Sequence, residues 1–270
     1  MSQSWINALE DMALRRAGLS LTGLDRKQIE ARLSPLARRE GYDNAEALSR
    51  AALARPEERL AYEVVEALAP GKTRFFGQGF ETFREMILPD LVRRSENRPV
   101  RIWSAGCATG QEAYSLAMLA AADGVFAAPG RCEIIATDYS ESAIDRAQSG
   151  RFSRMEVQTG LPVRMLVQHF EQDGEMWRAR THLRRSVDFR TLNLMAELEP
   201  LGEFDCIVLR GVVARMPADI AAKTLSRVAA RLQPGGWLML GEGERTPQTF
   251  GRLDEAGAPG LYQALDRVPA

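Results

Sequence analysis

Two groups of residues, about thirty positions apart, carry the chemistry this chain displays. The first is Ser104-Ala105-Gly106-Cys107-Ala108-Thr109-Gly110, a run of small residues between an apolar stretch and a helical one. A glycine-containing turn from strand to helix lets backbone approach a ligand, and in an open parallel sheet ligands bind beyond the carboxyl ends of the strands. The second is Asp138, which closes the apolar run Ile134-Ile135-Ala136-Thr137. A carboxylate at that point can accept hydrogen bonds from both hydroxyls of a ribose. Taken singly, the loop also suits a plain tight turn and Asp138 an N-cap for a helix near Glu141. Together they suit adenosine held without phosphate contacts, as in S-adenosylmethionine. Neither G-x-G-x-x-G nor G-x-x-x-x-G-K-[ST] occurs, which disfavours dinucleotides and triphosphates.

Other residues can complete such a site. Glu112 stands in the first turn of the helix after the loop, where the helix dipole favours a carboxylate and where it can receive a ligand ammonium group. Thr73 precedes Phe75-Phe76, rings that read as core, and can turn its hydroxyl to a cleft. Asn193 follows a strand-like run and suits either an adenine edge or a turn. His169 and His182 have no nucleophile or metal ligands to pair with and read as surface or structural residues. Without a G-x-S-x-G elbow a hydrolase has no foothold, and no metal site is expected.

Strands and helices must alternate to position these groups. VRIWSAG, CEIIATD, FDCIVLRGV and GGWLMLGEG read as strands, and EAYSLAMLAAA, SAIDRAQSG and AAKTLSRVAARL as helices between them. That alternation calls for a parallel sheet covered on both faces, an α/β fold. Asp173-Gly174 between extended stretches signals a hairpin, so a small antiparallel excursion is expected at about 163–188. The glycine- and proline-containing tail RLDEAGAPGLYQALDRV suits a closing antiparallel hairpin. Ahead of the sheet, residues 1–72 read as a helical module. Asp25 with Gln28 forms a capping box, Gly41 stands at a helix end, Asp43 with Glu46 repeats the start signal, and a third helix runs from about Pro56 to Gly71. A linker helix occupies 73–98, with Phe80, Phe83, Ile87 and Leu91 on one stripe, and the sheet-bearing domain 99–270.

Composition bounds the rest. The 270 residues hold 35 basic and 36 acidic side chains for a net charge of −1, so the overall positive field that nucleic-acid binding needs is missing. Arginines between 26 and 39 can make one basic face or an ordinary solvated one. Three cysteines in no C-x-x-C pair argue against a disulfide framework and for a reduced compartment. The N-terminus lacks a signal-peptide core and no run reaches eighteen apolar residues, so a cytoplasmic protein without membrane insertion is expected.

The ordered motifs resemble the CheR-type chemotaxis receptor methyltransferases over nearly the whole chain. They are T-R-F-F at 73–76, F-x-x-F at 80–83, LP at 88–89, R-I-W-S-A-G-C-A-T-G at 101–110 with Glu112 and Y-S-L-A-M at 114–118, A-T-D at 136–138, A-x-S-G at 147–150, V-D-F and N-L at 187–194, F-D at 204–205 and P-G-G at 234–236. The resemblance implies a class I, Rossmann-like methyltransferase sheet behind a small helical domain, with a three-stranded subdomain at the hairpin. It implies methyl transfer from S-adenosylmethionine, leaving S-adenosylhomocysteine, to glutamates on the cytoplasmic helices of chemoreceptors or receptor-like proteins. By position, Thr73, Ala105, Gly106, Glu112, Asp138, Asn193, Leu194 and Arg210 would surround the cofactor. The family's F-F-R is here Phe75-Phe76-Gly77, and its C-R-N-V-x-I-Y-F is here Leu209-Arg210-Gly211-Val212-Val213-Ala214-Arg215-Met216. Arg74 and Arg210 are the candidates to replace the missing active-site arginine. A second reading is a family member that binds the cofactor or its product and acts as a regulatory interaction module.

Overall fold

Four helices open the chain, α1 (Ser4–Ala17), α2 (Arg26–Arg39), α3 (Ala45–Ala54) and α4 (Arg59–Leu68). The computed structural model describes residues 4–69, 73–94, 98–124, 126, 128, 130–246 and 253–265. The Asp25 carboxylate accepts the Gln28 N–H at 2.7 Å while Gln28 accepts that of Asp25 at 2.9 Å, which closes the capping box of α2. Asn44, not Asp43, caps α3: it stands at the N-cap position, where its side-chain oxygen accepts the Ala47 N–H at 2.9 Å. Pro56 lies in the turn ahead of α4, and Gly71 and the boundary at 72 lie outside the described residues. Arginines of α2 are met by acids: Arg26 pairs with Glu30 at 2.7 Å, and Arg39 with Glu40 at 2.9 Å and Glu63 at 2.5 Å. Two of the cations on this helix are thus paired with acids, while Arg32 donates instead to the Leu68 carbonyl at 2.6 Å.

The chain divides into two units, residues up to 71 with 214–223, and 72–213 with 224–270. The segment 214–223, within the span read as the sheet-bearing domain, groups with the helices; there the Ser20 N–H donates to the Arg215 carbonyl at 2.8 Å. The second unit holds β1 (Val100–Ala105), β2 (Cys132–Asp138), β3 (Arg151–Ser153), β4 (Phe170–Asp173), β5 (Met176–Ala179), β6 (Val187–Thr191), β7 (Phe204–Leu209), β8 (Leu232–Leu240), β9 (Leu253–Glu255) and β10 (Leu261–Ala264). Its helical pieces are α5 (Phe80–Thr82), a π-helical turn (Phe83–Ile87), α6 (Leu88–Arg94), α7 (Gln111–Ala122), α8 (Glu141–Ser149), α9 (Arg154–Gln158), α10 (Val163–His169) and α11 (Thr181–Arg185); α12 (Ala218–Ala229) begins in the first unit and ends in the second.

Seven strands form one sheet in the order β6-β2-β1-β7-β8-β10-β9, the first five parallel and β10 antiparallel to both its neighbours. Strands buried on both faces read as continuous apolar runs, and every residue of β7 is buried. One of them is charged. Asp205 is fully buried and accepts two guanidinium bonds from Arg98, at 2.5 and 2.8 Å, and the Arg101 N–H at 3.0 Å. This tie joins the start of β1 to β7. The small-residue helix α7 is buried on nearly every side, as its alanines suggest.

The antiparallel excursion differs from the expectation in three ways. A second sheet of order β3-β5-β4 recruits Arg151–Ser153, upstream of 163. Residues 163–169 are helical, started by the Pro162 carbonyl accepting the Leu166 N–H at 3.0 Å, and 187–191 join the main sheet. The hairpin loop is Gly174-Glu175, since Asp173 already pairs with Met176; Gly174, at φ +64°, takes the left-handed position. Among the described residues of the tail, β9 and β10 pair as the expected hairpin.

Candidate active site

The carboxyl ends of the five parallel strands converge on one group of residues. After β1 the chain turns sharply, and Gly106 and Cys107 both donate to the Thr137 carbonyl, at 2.8 and 2.9 Å. Gly110, at φ +93°, starts α7 in a conformation that glycine adopts freely. Asp138, at the end of β2, spreads its carboxylate over two backbone donors: Oδ2 accepts the Ala108 N–H at 2.8 Å and Oδ1 that of Ser140 at 3.0 Å. Ser140, not Asp138, caps α8, through the Ala143 N–H at 2.9 Å. From the next strand end, Leu192 donates to the Asp138 carbonyl at 2.8 Å, Asn193 accepts the Met195 N–H at 2.9 Å in a side-chain turn, and Leu194 is buried.

Among the described residues only Phe76 (φ +42°) and Ala108 (φ +46°) are non-glycine residues with positive φ. Such conformations cost about 1–3 kcal/mol each and persist where surroundings over-determine them. Both have their N–H held by a side chain, Ala108 by Asp138 and Phe76 by the Ser115 hydroxyl at 3.0 Å. Ser115 in turn donates to the Gln111 carbonyl at 2.8 Å, so α7 fixes the stretch that carries Thr73 and Arg74. Phe75 packs edge-on to Phe152 and Phe170, as a core ring.

Arg210 follows β7 and is the charged centre of the group. Its guanidinium donates to Glu112 Oε1 and to the Gln78 carbonyl, lies 5.7 Å from the Phe80 ring centroid, and leaves a buried Nε without a partner. Glu112 is held above the ordinary glutamate range chiefly by burial, against the attraction of Arg210; Glu244 pushes it further up and Arg74 draws it down. Gly77 sits between the two arginines. A Cβ built there would lie 3.2 Å from Arg210 Nη1 and 3.4 Å from Arg74 Nε. The buried Glu244 accepts the N–H groups of Gly211 at 2.8 Å and Gly241 at 2.7 Å, which ties the ends of β7 and β8 together. Burial and then the nearby Asp138 push the Cys107 thiol well up, which disfavours its thiolate form.

Residues 71–259 match the family model described as CheR methyltransferase, SAM binding domain. The chain belongs to the CheR methyltransferase family. It is 28% identical over 247 residues to "Chemotaxis protein methyltransferase Cher2" of Pseudomonas putida, covering 89% of this chain and 86% of that protein. With "Chemotaxis protein methyltransferase 1" of Vibrio cholerae it shares 33% over 229 residues, 82% of each chain. The sheet is that of a class I methyltransferase, and the cofactor is S-adenosylmethionine. No described helix is long and apolar enough to cross a membrane.

Within this CheR-type site, direct contacts link Arg210 to Glu112 and Asp138 to the loop after Ala105 and Gly106, and both guanidiniums border the space that a Cβ at Gly77 would take. Three participants escaped the sequence reading. Ser115 stands in the Y-S-L-A-M motif with no role assigned to it there, Gln78 contributes only a carbonyl, and Glu244 offers a weak signal as an acid just past the last parallel strand. Arg215, at the position of the family's tyrosine, belongs to the 214–223 segment of the helical unit. His169 and His182 face each other at 3.2 Å, with His169 buried.

Proposed function

We propose that this protein transfers the methyl group of S-adenosylmethionine to glutamate side chains on the cytoplasmic helices of chemoreceptors or receptor-like signalling proteins. The observation that supports it most is the pair of guanidiniums, Arg74 and Arg210, that border the side-chain space of Gly77 near a half-buried Glu112. A planar guanidinium is matched in geometry to a carboxylate. The arginine that the family places at 77 is thereby replaced in kind from two neighbouring positions.

The residues fit the cofactor on the chemistry of the set. Glu112 is a half-buried carboxylate among cations and suits an ammonium; Asp138, half-buried at a strand end, suits sugar hydroxyls; Ala105 and Gly106 offer backbone without bulk; Thr73, Asn193 and Leu194 complete the surround. When bound, S-adenosylmethionine supplies an electrophilic methyl on a sulfonium. A free glutamate carboxyl, with a pKa of about 4.3, is ionised at neutral pH, so no residue has to remove a proton. The task of this chain is positioning. Arg210, anchored by Glu112 and Gln78, and Arg74 orient the acceptor oxygens, and orientation of this kind can contribute roughly 7–11 kcal/mol. This reading puts the protein in the cytoplasm with a receptor's cytoplasmic domain as partner.

A second reading, a regulatory module that binds cofactor or product without turnover, draws on Gly77 and Gly211, where the family carries an arginine and an asparagine. Transfer of labelled methyl to a receptor cytoplasmic bundle separates the two. The enzyme reading expects label on glutamates, with Arg74→Ala raising the receptor KM about tenfold and Arg210→Ala lowering kcat/KM further. Turnover untouched by both substitutions would remove the arginines from the mechanism, and tight S-adenosylhomocysteine binding without any transfer would favour the module.

A further inference from the structure

The helices of the small-sheet subdomain carry side chains that nothing in their own fold explains. Met155 on α9 is 78% exposed, and Val163 and Val167 on α10 are 76% and 67% exposed. The other large apolar side chains exposed among the described residues, Tyr62, Met86 and Leu265, stay near 40%. Val163 and Val167, four apart, share one helix face, and valine is a poor choice for an exposed helix on local grounds. Arg154 and Arg164 are exposed on the same two helices, and no carboxylate or other partner reaches either of them among the described residues. The acid between them, Glu156, is already engaged by Arg146 at 2.6 Å and by the Ser153 N–H at 2.8 Å.

The opposite sides of these helices are anchored. Val157 of α9 and His169 of α10 are buried, as is Leu161 in the link between the helices, and a Cβ at Gly160 in that link would lie 2.0 Å from the Phe75 carbonyl oxygen. The patch is therefore fixed against the stretch that bears Arg74. Its chemistry is apolar side chains flanked by unpaired guanidiniums, the complement of an amphipathic helix whose apolar residues alternate with carboxylates.

We propose that the outward faces of α9 and α10, through Met155, Val163, Val167, Arg154 and Arg164, dock a glutamate-bearing amphipathic helix of the methyl-accepting partner beside the active site. This rests on the reading of the protein as a glutamate methyltransferase. A helix seated there brings its carboxylates next to the segment holding Arg74, so the patch selects helical acceptors over free acids.

The test uses the full chain and two probes. A fluorescein-labelled synthetic helix, with leucines at i, i+3, i+4 and i+7 and glutamates beside them, is read by anisotropy; methyl transfer to a receptor bundle is read separately. Wild type is expected to bind the synthetic helix, and a helix with lysines in place of the glutamates at least tenfold more weakly. Val163→Glu/Val167→Glu should weaken binding at least tenfold and raise the receptor KM to match. Arg164→Glu should act less strongly and lose its effect as salt rises. Affinity for S-adenosylhomocysteine and melting temperature should stay unchanged in all variants. Unaltered helix affinity in the double variant overturns the proposal, as does an equal loss of S-adenosylhomocysteine affinity. Preferential binding of wild type to phosphatidylglycerol vesicles, abolished by the same variants while helix affinity persists, overturns it too. Helix binding without methyl transfer would sink the enzyme reading and leave the docking surface standing.

Discussion

Gly77 shows how a departure from a family pattern is read in physical terms. In the sequence it is a lost arginine. In the structure its missing side chain makes room for two guanidiniums, with Arg210 Nη1 3.2 Å and Arg74 Nε 3.4 Å from where a Cβ would stand. Restoring the family residue therefore does not restore the family site. An arginine at 77 would leave the backbone through space that two like charges already border, and Glu112 offsets only part of that repulsion. Gly77→Arg is expected to lower the melting temperature by several degrees without raising methyl transfer, whereas Gly77→Ala, whose Cβ meets only flexible guanidinium ends, should be nearly neutral. Thermal melts and a methylation assay check this. A more active Gly77→Arg at unchanged melting temperature would show that the two arginines do not fill the vacant place.

At the scale of elements, what could be read from the sequence was what depends on neighbours in the chain. The capping box at Asp25, the apolar β7 and the glycine turn after β1 are local patterns with local causes. What could not be read depended on partners far along the chain. Val163–His169 looked extended until Pro162 started a helix, β3 exists because Phe152 has β5 to pair with, and Glu244 matters because two backbone donors converge on it. The histidines belong here as well. His169, at the end of α10, is buried with its Nδ1 3.2 Å from Nε2 of His182 on α11, and its Nε2 has no partner. Burial first, then His182 and Arg180, hold His169 below the ordinary histidine range. The folded state thus binds fewer protons than the unfolded one around and below pH 6.5, so the stability this group contributes is full above that pH and is lost as pH falls through the lowered value. Amides of β4 and β5 should exchange faster, after correction for intrinsic rates, as pH drops from about 7.5 to 5.5. His169→Gln should flatten that dependence. An equal pH response in the variant would place its origin elsewhere.

At the scale of the whole molecule, every residue assigned to cofactor or acceptor belongs to the second unit, from Thr73 through Arg210 to Glu244. The chain passes to the helical unit at Ala214, four residues after Arg210. A ligand that binds only the folded second unit stabilises that unit by mass action, by about 2.7 kcal/mol when present at 100 times its dissociation constant. None of the residues assigned to the cofactor belongs to the helical unit, so no direct gain is expected there. Saturating S-adenosylhomocysteine is expected to slow hydrogen exchange at 73–77, 104–112, 138–140, 192–194 and 209–212, and to leave 5–68 unchanged. The two strained residues sharpen the expectation. Phe76 and Ala108 are held at positive φ by Ser115 and Asp138, and a ligand against both segments disfavours the openings that would relieve the strain. Their amides should therefore show the largest protection gain, and Asp138→Ala should abolish it at Ala108 while weakening S-adenosylhomocysteine binding about ten- to a hundredfold. Protection that rises equally in the helical unit would mean the two units unfold as one. Protection that skips Ala108 would mean the nucleoside does not sit on the loop between β1 and α7.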